Sequence, residues 1–293
     1  MSHIPVLLEE SIDSLNLKSW QILLDCTLGG GGDSAYAYKK YGVRIVGLDL
    51  DLDAEERTKK VIGDCKFSFY NIGFQDLDQA LKKEGIKEVD GIIFDLGISS
   101  FQLEEAERGF SFKKDQPLLM TMKKYPTNED TTAIDIVNNW EEENLADIIY
   151  GYGEEKYSRR IAKAIVEARK NEKIETTFEL VSIIEKAVPA VYKRGRIHFA
   201  TRTFQALRIA TNDELGNIEK GLKNGLNILK SGGRMSVISF HSLEDRIVKR
   251  FYKKNEKERL VKLINKKPII PNEEEIKNNP RSRSSKLRIL EKI

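Results

Sequence analysis

The apolar run Ile22-Leu23-Leu24-Asp25-Cys26 leads through Thr27-Leu28 into four consecutive glycines, Gly29 to Gly32. An ordered glycine costs about 0.5–1 kcal/mol more than an alanine. A chain gives up that many side chains where the backbone must turn through positive φ or approach a ligand closely. A strand, a glycine turn and then a helix, here expected over 33–41, point backbone N–H groups and a helix N-terminus at an anion or nucleoside. A second strand, 44–51, carries Asp49 about twenty residues on, where an acid accepts hydrogen bonds from a ribose.

The segments that follow extend the pattern. A helix over 53–61, a strand at 66–70, a helix over 74–85 closed by Gly85 and an almost wholly apolar strand at 89–97 alternate along the chain. Continuous apolar strands alternating with helices indicate a parallel sheet covered on both faces. From residue 104 to about 200 no buried strand is expected. That stretch instead holds helical runs at 131–140, 142–153, 158–170 and 176–188, and Thr176-Thr177-Phe178-Glu179 has capping-box spacing. One long helical stretch, 203–230, ends at Ser231-Gly232-Gly233; a fifth strand at 234–240, a helix over 242–255 and a last strand at 286–290 follow. Residues 265–285 read as irregular.

Two details favour S-adenosylmethionine over a nicotinamide dinucleotide. Asp25-x-x-x-Gly29-x-Gly31 places an acid in the first strand, able to order the turn and hold the cationic end of the cofactor. The third glycine of the dinucleotide fingerprint is replaced by Ser34. Asp95 closes the fourth strand at the sheet edge where α/β folds place ligands. Phe74, after the third strand, can pack on an adenine or belong to the core.

Composition enters through charge. Net charge is +3, yet residues 246–293 carry 16 Lys/Arg against 6 Asp/Glu. That segment is therefore +10 and the rest −7, an imbalance that suggests a polyanionic partner. No apolar run reaches the roughly 20 residues of a membrane span, and the start lacks a signal-peptide pattern. Cys26 and Cys65 lie beside apolar runs, as buried thiols of a cytoplasmic protein do. His3, His198 and His241 are scattered, and no metal is expected.

The blocks HIPVLLEE, DCTLGGGG, FDLGISSFQL, RGFSF, YGEEKYSRRIAKAIV, ATRTFQALRI, SFHSLEDRIVKRF and NPRSRSSKLRI run nearly end to end. In these the chain resembles the bacterial 16S rRNA (cytosine-N4)-methyltransferases. The resemblance implies an α/β class I (Rossmann-like) methyltransferase fold, a doubly wound sheet over 1–108 and 210–293 interrupted by a helical substrate-recognition domain over 109–209. It implies S-adenosylmethionine contacts at Gly31, Gly32, Asp33, Asp49, Phe74, Asp95 and Gln102; Asp33 and Gln102 come from the resemblance alone. The family usually has histidine at 33 and Asp, Arg and Asp where Leu119, Thr121 and Lys123 stand here. The triple change is read first as a compensated rearrangement of an ion-pair network, with weakened activity or an altered substrate contact as the alternatives that keep the non-catalytic reading open.

The implied reaction methylates a cytosine amine of the small ribosomal subunit's decoding centre, by a monomer or homodimer away from any membrane. Asp95, assisted by Ser99 or Ser100, is expected to accept a hydrogen bond from the amine, with His241 a second candidate. Arg108, Arg202, Arg208, Arg246, Lys249, Arg250, Arg281 and Arg283 are the expected phosphate contacts. Phe110 and Phe112 are candidates for base stacking or for anchoring the helical insertion. The rival readings are a non-catalytic RNA-binding or ribosome-assembly factor, an NAD-dependent dehydrogenase and a cytosine-N4 DNA methyltransferase.

Overall fold

The computed structural model describes residues 5–63, 65, 67–104 and 107–293; His3 and the side chain of Ser100 lie outside the described part. The chain divides into two compact units, residues 1–99 with 215–293, and residues 100–214.

The first unit opens with α1 (Leu8–Asp13), β1 (Ile22–Asp25), α2 (Gly32–Tyr41), β2 (Arg44–Leu48), α3 (Ala54–Ile62), β3 (Phe67–Tyr70), α4 (Leu77–Lys83) and β4 (Val89–Asp95). The second unit supplies α5 (Ser100–Glu104), α6 (Ala133–Asn139), α7 (Glu142–Gly151), α8 (Ser158–Arg169), α9 (Thr177–Ala187), α10 (Ala190–Lys193) and α11 (Thr201–Asn212). The chain then resumes with α12 (Glu214–Ile228), β5 (Leu229–Ser239), α13 (Ser242–Lys257), β6 (Val261–Leu263), α14 (Glu273–Asn278) and β7 (Lys286–Lys292).

The sheet runs β3-β2-β1-β4-β5-β7-β6. The first five strands are parallel, and β7 lies antiparallel between β5 and β6. This is the expected Rossmann-like, doubly wound sheet. Its strands read as unbroken apolar runs because alternate side chains enter two different cores. Leu24, Val46, Ile92, Phe94 and Met235 pack with α4, α12 and α13 on one face. Leu23, Ile45 and Ile93 pack with α1, α2 and α3 on the other. A fully buried Ile or Leu contributes about 1.5–3 kcal/mol, so a one-residue register slip would exchange the two faces and lose both. Order reverses between β1 and β4, and in such sheets ligands bind outside the carboxyl ends of the strands at that point.

In the second unit, α7 packs on α8 and α11, and α8 also packs on α6 and α9. Their buried stripes include Leu145, Ile149, Ile161, Ile165, Leu180, Ile184 and Leu207. Thr176 and Glu179 form the expected capping box, and Thr132 with Asp135 forms another.

The structure corrects three expectations. The long helix over 203–230 is two helices, broken at Asp213, whose backbone is left-handed (φ 44°, ψ 42°). The fifth strand begins at Leu229, ahead of the glycines, with a register irregularity against Val89–Gly91. Residues 265–285 are less irregular than expected, holding α14 and a 3-10 turn over Pro280–Ser284, and β6 lies just ahead of them. β6 is ordered by pairing with β7, a contact between segments too short to show their own periodicity.

Candidate active site

The glycine turn joins β1 to α2, and two of its residues have positive φ, Gly29 (+53°) and Gly31 (+74°). The chain's own packing accounts for part of the run. A Cβ on Gly31 would lie 2.6 Å from the Thr58 side chain, and one on Gly32 2.5 Å from Pro5. Gly29 is different, since its Cβ direction meets only Thr27 O at 3.7 Å and Ser99 Cβ at 3.9 Å. Backbone alone there leaves room beside Ser99.

Four carboxylates surround this turn. Asp25 is buried, and each of its oxygens accepts one bond from the chain itself: Oδ1 from Thr27 N–H (3.1 Å) and Oδ2 from Ser34 Oγ–H (2.7 Å). That bond explains why serine, not a third glycine, stands at 34. Burial pushes the Asp25 carboxyl up to about 6. Asp49, just past β2, accepts Gly29 N–H on Oδ2 and Asp51 N–H on Oδ1, both at 2.7 Å. It therefore holds the turn in place, and each oxygen keeps a second lone pair; burial raises its pKa to about 6 as well.

Asp33 and Asp95 differ from that pair. Oδ1 of each is buried with no hydrogen-bond partner. Burial raises both carboxyls well above the carboxylate range, and each faces further acids: Asp33 faces Asp25, while Asp95 faces Asp33, Asp25 and Glu244. Asp95 is fixed by its own N–H, which donates to Thr27 Oγ1 (2.7 Å). Thr27, Ser34 and the Arg57 guanidinium, which bonds Gly29 O (3.2 Å) and Asp51 (3.0 Å), are parts of the site that sequence reasoning missed. The repeat Asp49-x-Asp51 was the available signal for the last of these.

A buried acceptor without a partner costs about 1–3 kcal/mol, so this cluster is completed by a donor or a cation. S-adenosylmethionine fits, because its sulfonium and α-ammonium groups are both cationic. A dinucleotide does not fit, because its pyrophosphate would meet four acids. Phe74, half-buried, stands edge-on to Phe94 at 5.5 Å between ring centroids, and its ring fills the space where Gly221 lacks a side chain. It is as much core as it is wall of the site. Gln102 belongs to the second unit, where it is buried.

His241 is the N-cap of α13 and forms a capping box with Glu244, its Nδ1 accepting Glu244 N–H (3.4 Å) and its Nε2 lying 3.2 Å from Oε1. The cap uses Nδ1 alone, and Nε2 is buried with no hydrogen-bond partner. Of the expected phosphate contacts, Arg246, Lys249, Arg250, Arg281 and Arg283 are exposed. Arg202 is half-buried and donates to Glu154 O (2.7 Å). Arg108 and Arg208 turn inward, contrary to expectation. Arg108 is buried, donates to Met122 O (3.0 Å) and covers the Phe110 ring; Arg208 makes a two-pronged ion pair with Glu214, both bonds 2.8 Å. Phe110 is buried and serves the core of its unit, while Phe112 is half-buried. At the triple departure, Lys123 pairs with Asp130, and Thr121, buried, accepts the Lys123 N–H (3.3 Å).

Residues 1–293 match the profile of the MraW methylase family. The chain is 48% identical over 309 aligned positions to the ribosomal RNA small subunit methyltransferase H of Clostridium botulinum, covering 99% of each protein. It is 45% identical to the protein of that name from Sulfurihydrogenibium over the whole of both chains, and 44% to that of Clostridioides difficile over 99% of each. With a doubly wound sheet, an acid-lined glycine turn at its switch point and end-to-end similarity of this strength, the chain belongs to the MraW methylase family of S-adenosylmethionine-dependent methyltransferases.

Proposed function

We propose that this enzyme methylates the exocyclic N4 amine of a cytosine in the decoding centre of 16S rRNA, in the cytoplasm, on the small ribosomal subunit. The curated relatives' names support the rRNA substrate. The observation that carries the chemistry is the buried, unpartnered Oδ1 of Asp95 at the carboxyl end of β4. No helix among the described residues is long and apolar enough to cross a membrane.

S-adenosylmethionine supplies an electrophilic methyl group on a sulfonium. Asp33 Oδ1 takes the cationic amino-acid end, and the remaining lone pairs of Asp49 accept from the ribose hydroxyls. Asp95 then accepts a hydrogen bond from the cytosine amine, whose lone pair is otherwise delocalised into the ring. Localising that lone pair and aligning it with the methyl group is the work of position and electrostatics. Ser99, beside Gly29, assists. The exposed cations of α13, Arg246, Lys249 and Arg250, lie at i, i+3 and i+4 on one face and suit RNA phosphates, as do Arg281 and Arg283. The helical unit is read as the substrate-recognition domain, and the enzyme as a monomer or homodimer.

The test supplies tritiated-methyl S-adenosylmethionine and small subunits from cells lacking the modification. The wild-type enzyme labels 16S rRNA, and Asp95→Asn loses labelling by about a hundredfold or more while melting as the wild type does. Binding of the subunits without any label transfer would favour the assembly-factor reading instead.

A further inference from the structure

The segment leading into α11, Arg194-Gly195-Arg196-Ile197-His198-Phe199, is exposed at every residue except Phe199, which is half-buried. Its aromatic residues do not fold away separately. The His198 imidazole stacks on the Phe112 ring, with centroids 4.5 Å apart and planes inclined by 19°. The Phe199 ring lies against the same imidazole at 4.1 Å and 31°. Phe112 in turn meets the buried Phe204 edge-on at 5.2 Å, which anchors the pile to α11.

The imidazole is held in orientation. Its Nδ1 accepts the Ala200 N–H (3.3 Å), so that nitrogen carries no proton. Partial burial lowers the His198 pKa, against the opposing charge of Glu185, and so favours the same neutral form. At neutral pH the three rings are an uncharged, preoriented stack. Beside it stand two cations: among the described residues Arg194 and Arg196 have no ion-pair partner, whereas Lys193 is paired with Glu185 (3.3 Å). A partly exposed pile of aromatic rings next to uncommitted guanidinium groups matches an unpaired base with phosphates on either side. A duplex offers no free base face, and a protein partner gives no reason for cations flanking a stack.

We propose that Phe112, His198 and Phe199 form a platform on which an unpaired RNA base stacks, with Arg194 and Arg196 holding the flanking phosphates. This rests on the rRNA reading above and adds the part of the helical unit that grips the substrate and the single-stranded state it selects.

Fluorescence anisotropy on the full chain tests it with two labelled probes of about twelve nucleotides. One is oligocytidine, and the other is an abasic ribose-phosphate strand of equal charge. His198→Ala and Phe199→Ala each weaken oligocytidine binding about tenfold and leave abasic binding within about twofold, while His198→Tyr, which keeps a ring, retains the wild-type affinity. The Arg194→Ala/Arg196→Ala double variant weakens both probes and lowers the slope of log affinity against log salt by about 1.4. Thermal melting checks that each variant is folded. Equal wild-type affinity for the two probes, or equal loss on both in His198→Ala, overturns the platform. An unchanged affinity in His198→Ala, with wild-type binding and methylation intact, overturns the platform and spares the rRNA reading. A wild-type chain that neither binds RNA nor methylates it removes both.

Discussion

Cofactor binding should expel protons, and the cause is the pair of unpartnered oxygens on Asp33 and Asp95. Without a ligand, burial and the mutual proximity of acids hold both carboxyls above their ordinary range, so near neutral pH the pair retains protons. A cationic ligand reverses that preference by favouring the ionised forms, and the retained protons leave. The linkage sign follows: affinity rises with pH, by up to about tenfold per pH unit for each proton released. Isothermal titration calorimetry at about pH 6.5 keeps the ligand's own amine protonated. Repeating the titration in buffers of different ionisation enthalpy counts the protons, and one to two are expected for the wild type. Asp33→Asn should reduce that count by about one, because one of the two titrating groups is gone. A binding enthalpy that does not depend on the buffer, or an identical count in the variant, would refute the reasoning.

Three further outcomes follow from the same geometry. Asp25 has a folded pKa of about 6, above its unfolded value, so its contribution is greatest below about pH 4 and is lost as pH rises through 6. The ligand-free protein should thus lose up to about 3 kcal/mol from this group between those limits, and Asp25→Asn should flatten that part of the stability–pH curve measured by urea titration. Gly31→Ala places a Cβ 2.6 Å from Thr58 at a φ of +74°, and chemical denaturation should show a loss of about 2–4 kcal/mol, partly relieved by adding Thr58→Ala. Lys123→Ala should change stability by less than about 1 kcal/mol, since its ion pair with Asp130 is half exposed on the lysine side; a larger loss would mean that the departures at 119, 121 and 123 form one coupled network.

Reading the sequence alone went furthest where the signal was local. The glycine turn, the five parallel strands and the helical run between Ser100 and Asn212 each leave a mark within ten to fifteen residues. The sequence is silent where a distant contact decides, as at β6, which pairs with β7, and it misleads at Asp213, where a left-handed residue interrupts a continuous helical pattern. Charge type was visible in the sequence and charge direction was not. Arg108 and Arg208 look like Arg246 and Arg250 along the chain, yet the first two turn inward to Met122 and Glu214 while the last two are exposed.

The sequence by itself determined the layered α/β architecture and the placing of Asp25, Asp49 and Asp95 at strand ends, because apolar runs and glycine turns act over a few residues. Only the tertiary structure decided which of those acids is left with an open oxygen. Ser34 and Thr27 satisfy Asp25, and the turn itself satisfies Asp49. Asp95 keeps a bare buried oxygen although Thr27, 68 positions away, holds its backbone. Hydrogen-bond capacity is consumed by neighbours in space, and no spacing along the chain records which neighbours those will be.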